Sequence, residues 1–370
     1  MNQNEYLELA QKSIAGELIS NPLALQILTS PDIEILPLLN AAYQVRQTFR
    51  GKSVTIHIIN NGQNGHCPED CHYCAQAKSS KADIEEYPLK SDDEFMAEAK
   101  HAYEKGAFRY CMVFAGRGPS TGRVDRLSNL IKTIKSEYPS LEICVSTGLL
   151  DYEKANRLKA AGLDRLNHNL NTSEKHYGNI CTTHTYQDRL NTLDAARRAG
   201  IQLCSGVIVG MNEFHQDIIE VACSLRKLNV ESIPVNFLMP IPGAKLDKQP
   251  MLTPDYCLRV LCLYRFINPK VELRMAAGRE IHLRGMEVMG LYAADSLFLD
   301  GYLNMKGSER RRTLQMIKDA GFIIKSDFSI DDVLETENDY PRLSPQDLAN
   351  QNMLKGLAEL RPQLKIKSCS

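Results

Sequence analysis

Nowhere does the chain hold an uninterrupted apolar run of the roughly 18 positions that a membrane-spanning helix needs, and no stretch of it is of low complexity. It also lacks an excess of charge. Its 44 basic and 45 acidic residues leave a formal net charge of −1, so there is no broad positive field to hold nucleic acid or anionic lipid. The N-terminal stretch MNQNEYLELAQKSIAGELIS has no basic segment leading into an apolar core, the mark of a secretory signal. These absences predict a soluble, cytoplasmic protein whose partners are small molecules, with no nucleic acid and no membrane.

What is present begins with size. At 370 residues, 43% of them apolar, the chain can bury the core of one large domain. Eleven cysteines in a large chain without an export signal are an odd number for a disulfide framework and fit metal ligation better.

Short β-branched or apolar runs alternate with helical patterns at intervals of roughly 30 residues, the rhythm of βα units. Eight such runs begin at Ser53, Arg109, Leu141, Arg165, Gln202, Ile233, Val271 and Ser296. Between them, Val124, Leu127, Ile131 and Ile134 form one helix stripe, and Tyr186, Leu190 and Leu193 another that Gly200 can stop. The pattern predicts an α/β fold, a (β/α)₈ TIM-type barrel over residues 51–326. A helical extension over 1–50 precedes it, and a short helical tail over 327–370 packs on the barrel, its helix signalled by Ser344 before Pro345. In such a barrel the site lies at the C-terminal ends of the strands.

Just after the first predicted strand comes NGHCPEDCHYCAQAKSS, with Cys67, Cys71 and Cys74 in a Cys-x3-Cys-x2-Cys loop. Soft thiolates select zinc or an iron–sulfur cluster. A closed zinc site would take its fourth ligand from His66 or His72, whereas three ligands on a four-iron cluster leave one iron open. This loop on a barrel, with Tyr73 before the last cysteine, resembles the radical S-adenosylmethionine superfamily. The resemblance implies a [4Fe–4S] cluster whose open iron is chelated by S-adenosylmethionine, cleaved to a 5′-deoxyadenosyl radical that abstracts hydrogen from unactivated carbon.

Other segments narrow the reading. In LNHNLNTS, strand alternation puts Asn167, Asn169 and Asn171 on one face and Leu166, His168 and Leu170 on the other. Facing the lumen, unpaired amides would cost about 1–3 kcal/mol each; the alternative is a solvated strand end. Cys111, Cys144 and Cys204 fall on separate predicted strands, where a lone cysteine is more often core. Arg274 on another strand needs a compensating partner.

In order, from Ser53 to Phe322, these segments resemble the branch of the superfamily that inserts sulfur into dethiobiotin. By that resemblance Cys111, Cys144, Cys204 and Arg274 hold an auxiliary [2Fe–2S] cluster, the sulfur source. Tyr73, Asn169, Asn171 and Arg189 contact S-adenosylmethionine, the asparagines near its ribose and Arg189 near its carboxylate. Asn169 and Asn236 meet the ureido ring of dethiobiotin, since an amide both donates and accepts. A flavodoxin- or ferredoxin-type electron donor and a homodimer are further implications. The rivals are a maturase- or mutase-type barrel without sulfur insertion and a non-catalytic zinc scaffold.

Two positions depart from the pattern. Asn171 stands where some members carry aspartate, and Asn304 and Met305 stand about where a Thr-Thr pair helps hold the substrate carboxylate. Ser308 or a backbone N–H is the expected substitute. No chemistry is expected of Cys181, Cys223, Cys257, Cys262 or Cys369, nor of His57, His101, His215 or His282, and Arg310 to Arg312 read as a solvated helix face.

Overall fold

The computed structural model describes residues 1–337 and 353–363, so Ser344, Pro345 and Cys369 lie outside the described residues. Helices α1 (Gln3–Ile14), α2 (Asn21–Thr29) and α3 (Ile35–Arg50) come first. The strands follow: β1 (Ser53–Gln63), β2 (Arg109–Phe114), β3 (Glu142–Ser146), β4 (Arg165–Asn167), β5 (Gln202–Cys204), β6 (Val207–Val209), β7 (Ser232–Phe237), β8 (Glu272–Met275), β9 (Ser296–Leu299) and β10 (Ile323–Ile324). All pair in parallel, and β9 pairs back onto β1, which closes the barrel. The short β10 adds to the start of β1 outside the ring.

The fifth barrel position is two half-strands. β5 pairs with β4 and touches β7 only at Cys204–Ser232, after which Ser205 and Gly206 interrupt the ladder and β6 continues along β7. Gly206 is required there, because a Cβ at this position would sit 1.9 Å from the Pro234 carbonyl oxygen. One continuous strand from Gln202 is thus corrected to two.

The helix stripes hold. Val124, Leu127, Ile131 and Ile134 are buried on the helix Thr121–Glu137, which Ser120 caps, and the helix Tyr186–Arg198 ends just before Gly200 at φ 77°. Buried arginines pin the N-terminal helices to the barrel. Arg46 of α3 donates to Ala294 O at 2.9 Å and Ser53 O at 3.0 Å, and Arg259 donates to Ile27 O of α2 at 3.0 Å. Such groups tolerate burial because carbonyls replace their water. Arg310 departs from the solvated-face reading. It is buried and paired with Asp300, while Arg311 and Arg312 are exposed. Cys257 and Cys262 are fully buried core.

Candidate active site

The loops after the strands surround a cleft of about 1360 Å³, its open mouth included, at the C-terminal end of the barrel. Cys67, Cys71, Tyr73 and Cys74 line one side, Asn167, His168, Asn169, Asn171 and Arg189 another, and Asn236, Asn304 and Met305 a third.

The cysteine loop is clipped to the segment 180–184. His72 N donates to Ile180 O at 2.9 Å, and the Asp70 carboxylate accepts from Thr182 N at 2.9 Å, Thr183 N at 3.2 Å and both threonine hydroxyls. Against burial, these hydrogen bonds, those from Thr182 foremost, hold the Asp70 carboxyl below the usual range. Glu69 joins the clip through Thr183 Oγ1 at 2.6 Å and His184 Nδ1 at 2.5 Å.

Cys71 Sγ lies 3.8 Å from Cys181 Sγ, which in turn lies 3.3 Å from His184 Nδ1. Among the described residues this is the only set of three potential metal ligands whose atoms all lie within 4.8 Å of one another. The sulfur atoms of Cys67, Cys71 and Cys74 are thus not all within 4.8 Å of one another, a spacing with room for a multi-iron cluster. The zinc alternative loses its expected fourth ligand: exposed His66 pairs with Glu86 at 3.7 Å, and His72 Nε2 meets Lys245 Nζ at 3.1 Å. Cys181, expected to be silent, shares a hydrogen bond with Cys71 that pushes the Cys71 thiol up and the Cys181 thiol down. Burial pushes the Cys74 thiol up to about 11, so ionising it requires a cation or cluster nearby.

Arg189 is the hub beside this loop. Its guanidinium donates to Asn169 O at 2.9 Å, Tyr73 Oη at 3.3 Å, His184 Nε2 at 2.9 Å and the Tyr177 hydroxyl. Tyr73 Oη also accepts from Asn171 Nδ2 at 2.7 Å. The alternation expected over Asn167 to Asn171 is corrected here. β4 ends at Asn167, and Asn171 takes a left-handed φ of 68°, so all three amides reach the cleft from a strand end and a turn rather than from one strand face. His168 lines the cleft too, which strict alternation excluded.

On the far wall, Asn236 Nδ2 donates to Val207 O at 3.0 Å and its Oδ1 accepts from Ala277 N at 3.2 Å. The side chain is held by backbone while one N–H and one lone pair stay available. Asn304 Oδ1 accepts from Asn64 Nδ2 at 2.6 Å, and Met305 packs on Ala75, Ile241 and Ala244. Ser308 does not line this cleft. Its hydroxyl accepts from Arg312 at 2.8 Å, so it is not the substitute the sequence offered.

Beneath the cleft, a smaller void shares Val113, Ser146, Asn167 and Tyr302 with it and reaches Cys111, Cys144 and Arg274. Cys111 and Cys144 are register partners on adjacent strands, and the Cys144 thiol is in hydrogen-bond contact with both Cys111 and Cys204. Arg274 NH1 lies 3.7 Å from Cys204 Sγ. Its Nε–H is buried without a partner, although burial of an unpaired donor is costly. The other face of this guanidinium is occupied by Ser232 Oγ at 3.0 Å and Glu272 Oε1 at 2.5 Å.

Glu272, Arg109 and His57 floor the barrel and escaped the sequence reading. Glu272 sits two residues before Arg274 on the same strand face, so the two-residue period was a signal for it. Nothing local marks His57, which meets Glu272 only through barrel closure.

A closed eight-position parallel barrel with a three-cysteine loop at its mouth defines a radical S-adenosylmethionine enzyme, and residues 64–224 match the Radical SAM superfamily. Residues 234–323 match the biotin and thiamin synthesis associated domain. Curated biotin synthases are similar throughout: that of Magnetococcus marinus is 55% identical over 317 residues, 86% of this chain and 98% of the relative. That of Acaryochloris marina is 52% identical over 83% of this chain and 88% of its own length. The chain belongs to the biotin synthase family. Methylornithine synthase (PylB), TM-score 0.72 at 18% identity over 85% of this chain and 96% of its own, shares the fold. So does the FeFe-hydrogenase maturase HydG of Carboxydothermus hydrogenoformans, TM-score 0.74 at 19% identity over 90% of this chain and 82% of its own. Membership implies a [4Fe–4S] cluster and S-adenosylmethionine. No helix among the described residues is long and apolar enough to cross a membrane.

Proposed function

We propose that the chain inserts sulfur into dethiobiotin to form biotin, with two iron–sulfur clusters held by two separate cysteine sets of the barrel. Cys67, Cys71 and Cys74 would hold the [4Fe–4S] cluster, and Cys111, Cys144, Cys204 and Arg274 an auxiliary [2Fe–2S] cluster. The observation that carries the reading is the buried second set below the cleft: the Cys144 thiol contacts both Cys111 and Cys204, Arg274 NH1 lies 3.7 Å from Cys204 Sγ, and Arg274 Nε–H has no hydrogen-bond partner. A radical barrel without sulfur insertion has no use for it. When bound, the first cluster with S-adenosylmethionine supplies a carbon-centred radical and the second supplies sulfur.

The remaining work belongs to the chain itself. Arg189 and Tyr73 orient the cofactor, Arg189 through its charge at the carboxylate end and Asn169 and Asn171 at the ribose. Asn236, pinned by Val207 and Ala277, offers the substrate ureido group a donor and an acceptor in a fixed plane, with Asn169 opposite. The apolar wall of Phe237, Leu238, Ile241 and Met305 excludes water from the reacting carbons. Electrons come from a flavodoxin- or ferredoxin-type donor, and the protein acts as a homodimer. The helical extension over 1–50, the barrel over 51–326 and the tail over 327–370 are the structural units of this reading.

The test is anaerobic reconstitution with labelled sulfide, then incubation with dethiobiotin, S-adenosylmethionine and a reductant, reading 5′-deoxyadenosine and biotin by mass. Wild type yields both, with label in biotin. Cys144→Ala yields 5′-deoxyadenosine without biotin, and Arg274→Met retains measurable biotin because three thiolates still hold the irons. Biotin from Cys144→Ala at the wild-type level, or unlabelled biotin from fully labelled protein, defeats the proposal.

A further inference from the structure

The barrel floor holds more charge than a buried space tolerates without reason. Arg109, Arg165 and Arg274 are buried side by side with Glu272, and Glu142 stands at the edge. Glu272 is the centre. Its Oε1 accepts from Arg109 NH1 at 2.9 Å, Arg274 NH2 at 2.5 Å and Ser232 Oγ at 3.1 Å, and its Oε2 accepts from Arg109 NH2 at 3.1 Å. His57 adds no charge: its Nδ1 accepts from Arg109 NH1 at 3.1 Å, which leaves Nε2–H to face Glu272 Oε1 at 3.1 Å.

Three guanidiniums thus face two carboxylates, and one positive charge is left over. The N–H groups at the floor without a hydrogen bond belong to the same side chains, Arg274 Nε and Arg165 Nε and NH1, the last of which has only Glu272 Oε2 at 3.7 Å. A diferric [2Fe–2S] core bound by three thiolates carries one negative charge, so placing it at Cys111, Cys144 and Cys204 neutralises the buried group.

We infer that Glu272 is the positioning residue of the auxiliary site: it fixes the Arg274 guanidinium against Cys204 and sets how much positive charge the cluster experiences. This deepens the proposed sulfur insertion and rests on the second cluster binding at these four residues. Glu272 touches neither sulfur nor substrate; it acts through Arg274. With the carboxylate charge removed, Arg274 keeps Ser232 and Cys204 as neighbours but loses its counter-ion, so its full charge stands beside the cluster, which favours the reduced, more negative form.

The experiment measures the midpoint potential of the auxiliary cluster in anaerobically reconstituted wild type, Glu272→Gln, Arg274→Met and the double variant, alongside iron and sulfide content. Glu272→Gln is expected to raise the equilibrium constant for cluster reduction by about an order of magnitude, with the [4Fe–4S] signal unchanged. In the Arg274→Met background the same substitution is expected to change it by less than half as much on the logarithmic scale, as a coupling through Arg274 demands. No shift in the wild-type background, or one at least half as large without Arg274, overturns the inference. If Glu272→Gln does not fold, Glu272→Asp replaces it: a displaced potential whose shift falls by more than half in the Arg274→Met background supports the inference, and no shift, or one at least half as large there, overturns it. A wild-type protein that takes up only one cluster defeats the function reading instead, which keeps the two failures apart.

Discussion

Cys71 and Cys181, 110 residues apart in sequence, bring their sulfur atoms to 3.8 Å at the edge of the cleft. Two buried thiols so close can lose two protons and two electrons to dioxygen and join as a disulfide, with modest rotation about their side-chain bonds. Cluster-free wild type exposed to air should lose two titratable thiols, and Cys181→Ala should keep Cys71 free and reconstitute the [4Fe–4S] cluster more fully without prior reduction. Thiol counting before and after dithiothreitol, with mass analysis of the linked peptides, checks it. A peptide pair other than these two as the main product would falsify the expectation.

Arg189→Met removes the charge proposed to meet the carboxylate of S-adenosylmethionine and leaves Tyr73 Oη and His184 Nε2 short of a donor. A charge-assisted hydrogen bond contributes about 1.5–3 kcal/mol, so affinity should fall roughly ten- to a hundredfold. Anaerobic equilibrium binding reads this directly, and unaltered affinity would show that the cofactor lies elsewhere.

Met305 is 3% exposed and packs with Ala75, Ile241 and Ala244. Its truncation to alanine should cost about 2–4 kcal/mol of stability, seen in denaturant unfolding of the apo-protein. Replacing Asn304 and Met305 with threonine would supply a hydroxyl pair, but it would also break the Asn64–Asn304 bond and bury a hydroxyl among apolar side chains. The double variant should be less stable than wild type.

The Glu94 carboxyl, hydrogen-bonded to Arg361 at 2.7 and 2.8 Å, is drawn down from 4.5 to about 2. A carboxyl whose folded value is depressed contributes stability that is fully present above the unfolded value and is lost as pH falls through the folded one. Thermal stability should therefore drop between pH about 4.5 and about 2 more steeply in wild type than in Arg361→Ala. Melting curves across that window decide it; parallel curves would remove the pair from the account.

Much of the molecule was legible in advance because its signals are local. β2 is the run from Arg109 to Phe114 as the sequence marks it, and β-branched runs located the remaining barrel positions to within a few residues. What was missed depends on closure. Cys181 matters only because the Thr182–Asp70 clip returns its loop to Cys71, and although the two-residue period marks Glu272 beside Arg274, its partners His57 and Arg109 reach it only once the barrel closes. Arg310 was misread for a similar reason: helix spacing places it beside exposed Arg311, and only the fold supplies Asp300.

The stacking of the two spaces also fixes an order of traffic. The lower void shares Val113, Ser146, Asn167 and Tyr302 with the cleft above and is floored by buried charge, so this shared wall is its doorway. A molecule seated in the upper cleft corks that doorway. Under the proposed function, restoring the contents of the lower chamber through that wall is expected to follow departure of the upper occupant, so the two sites would fill in sequence.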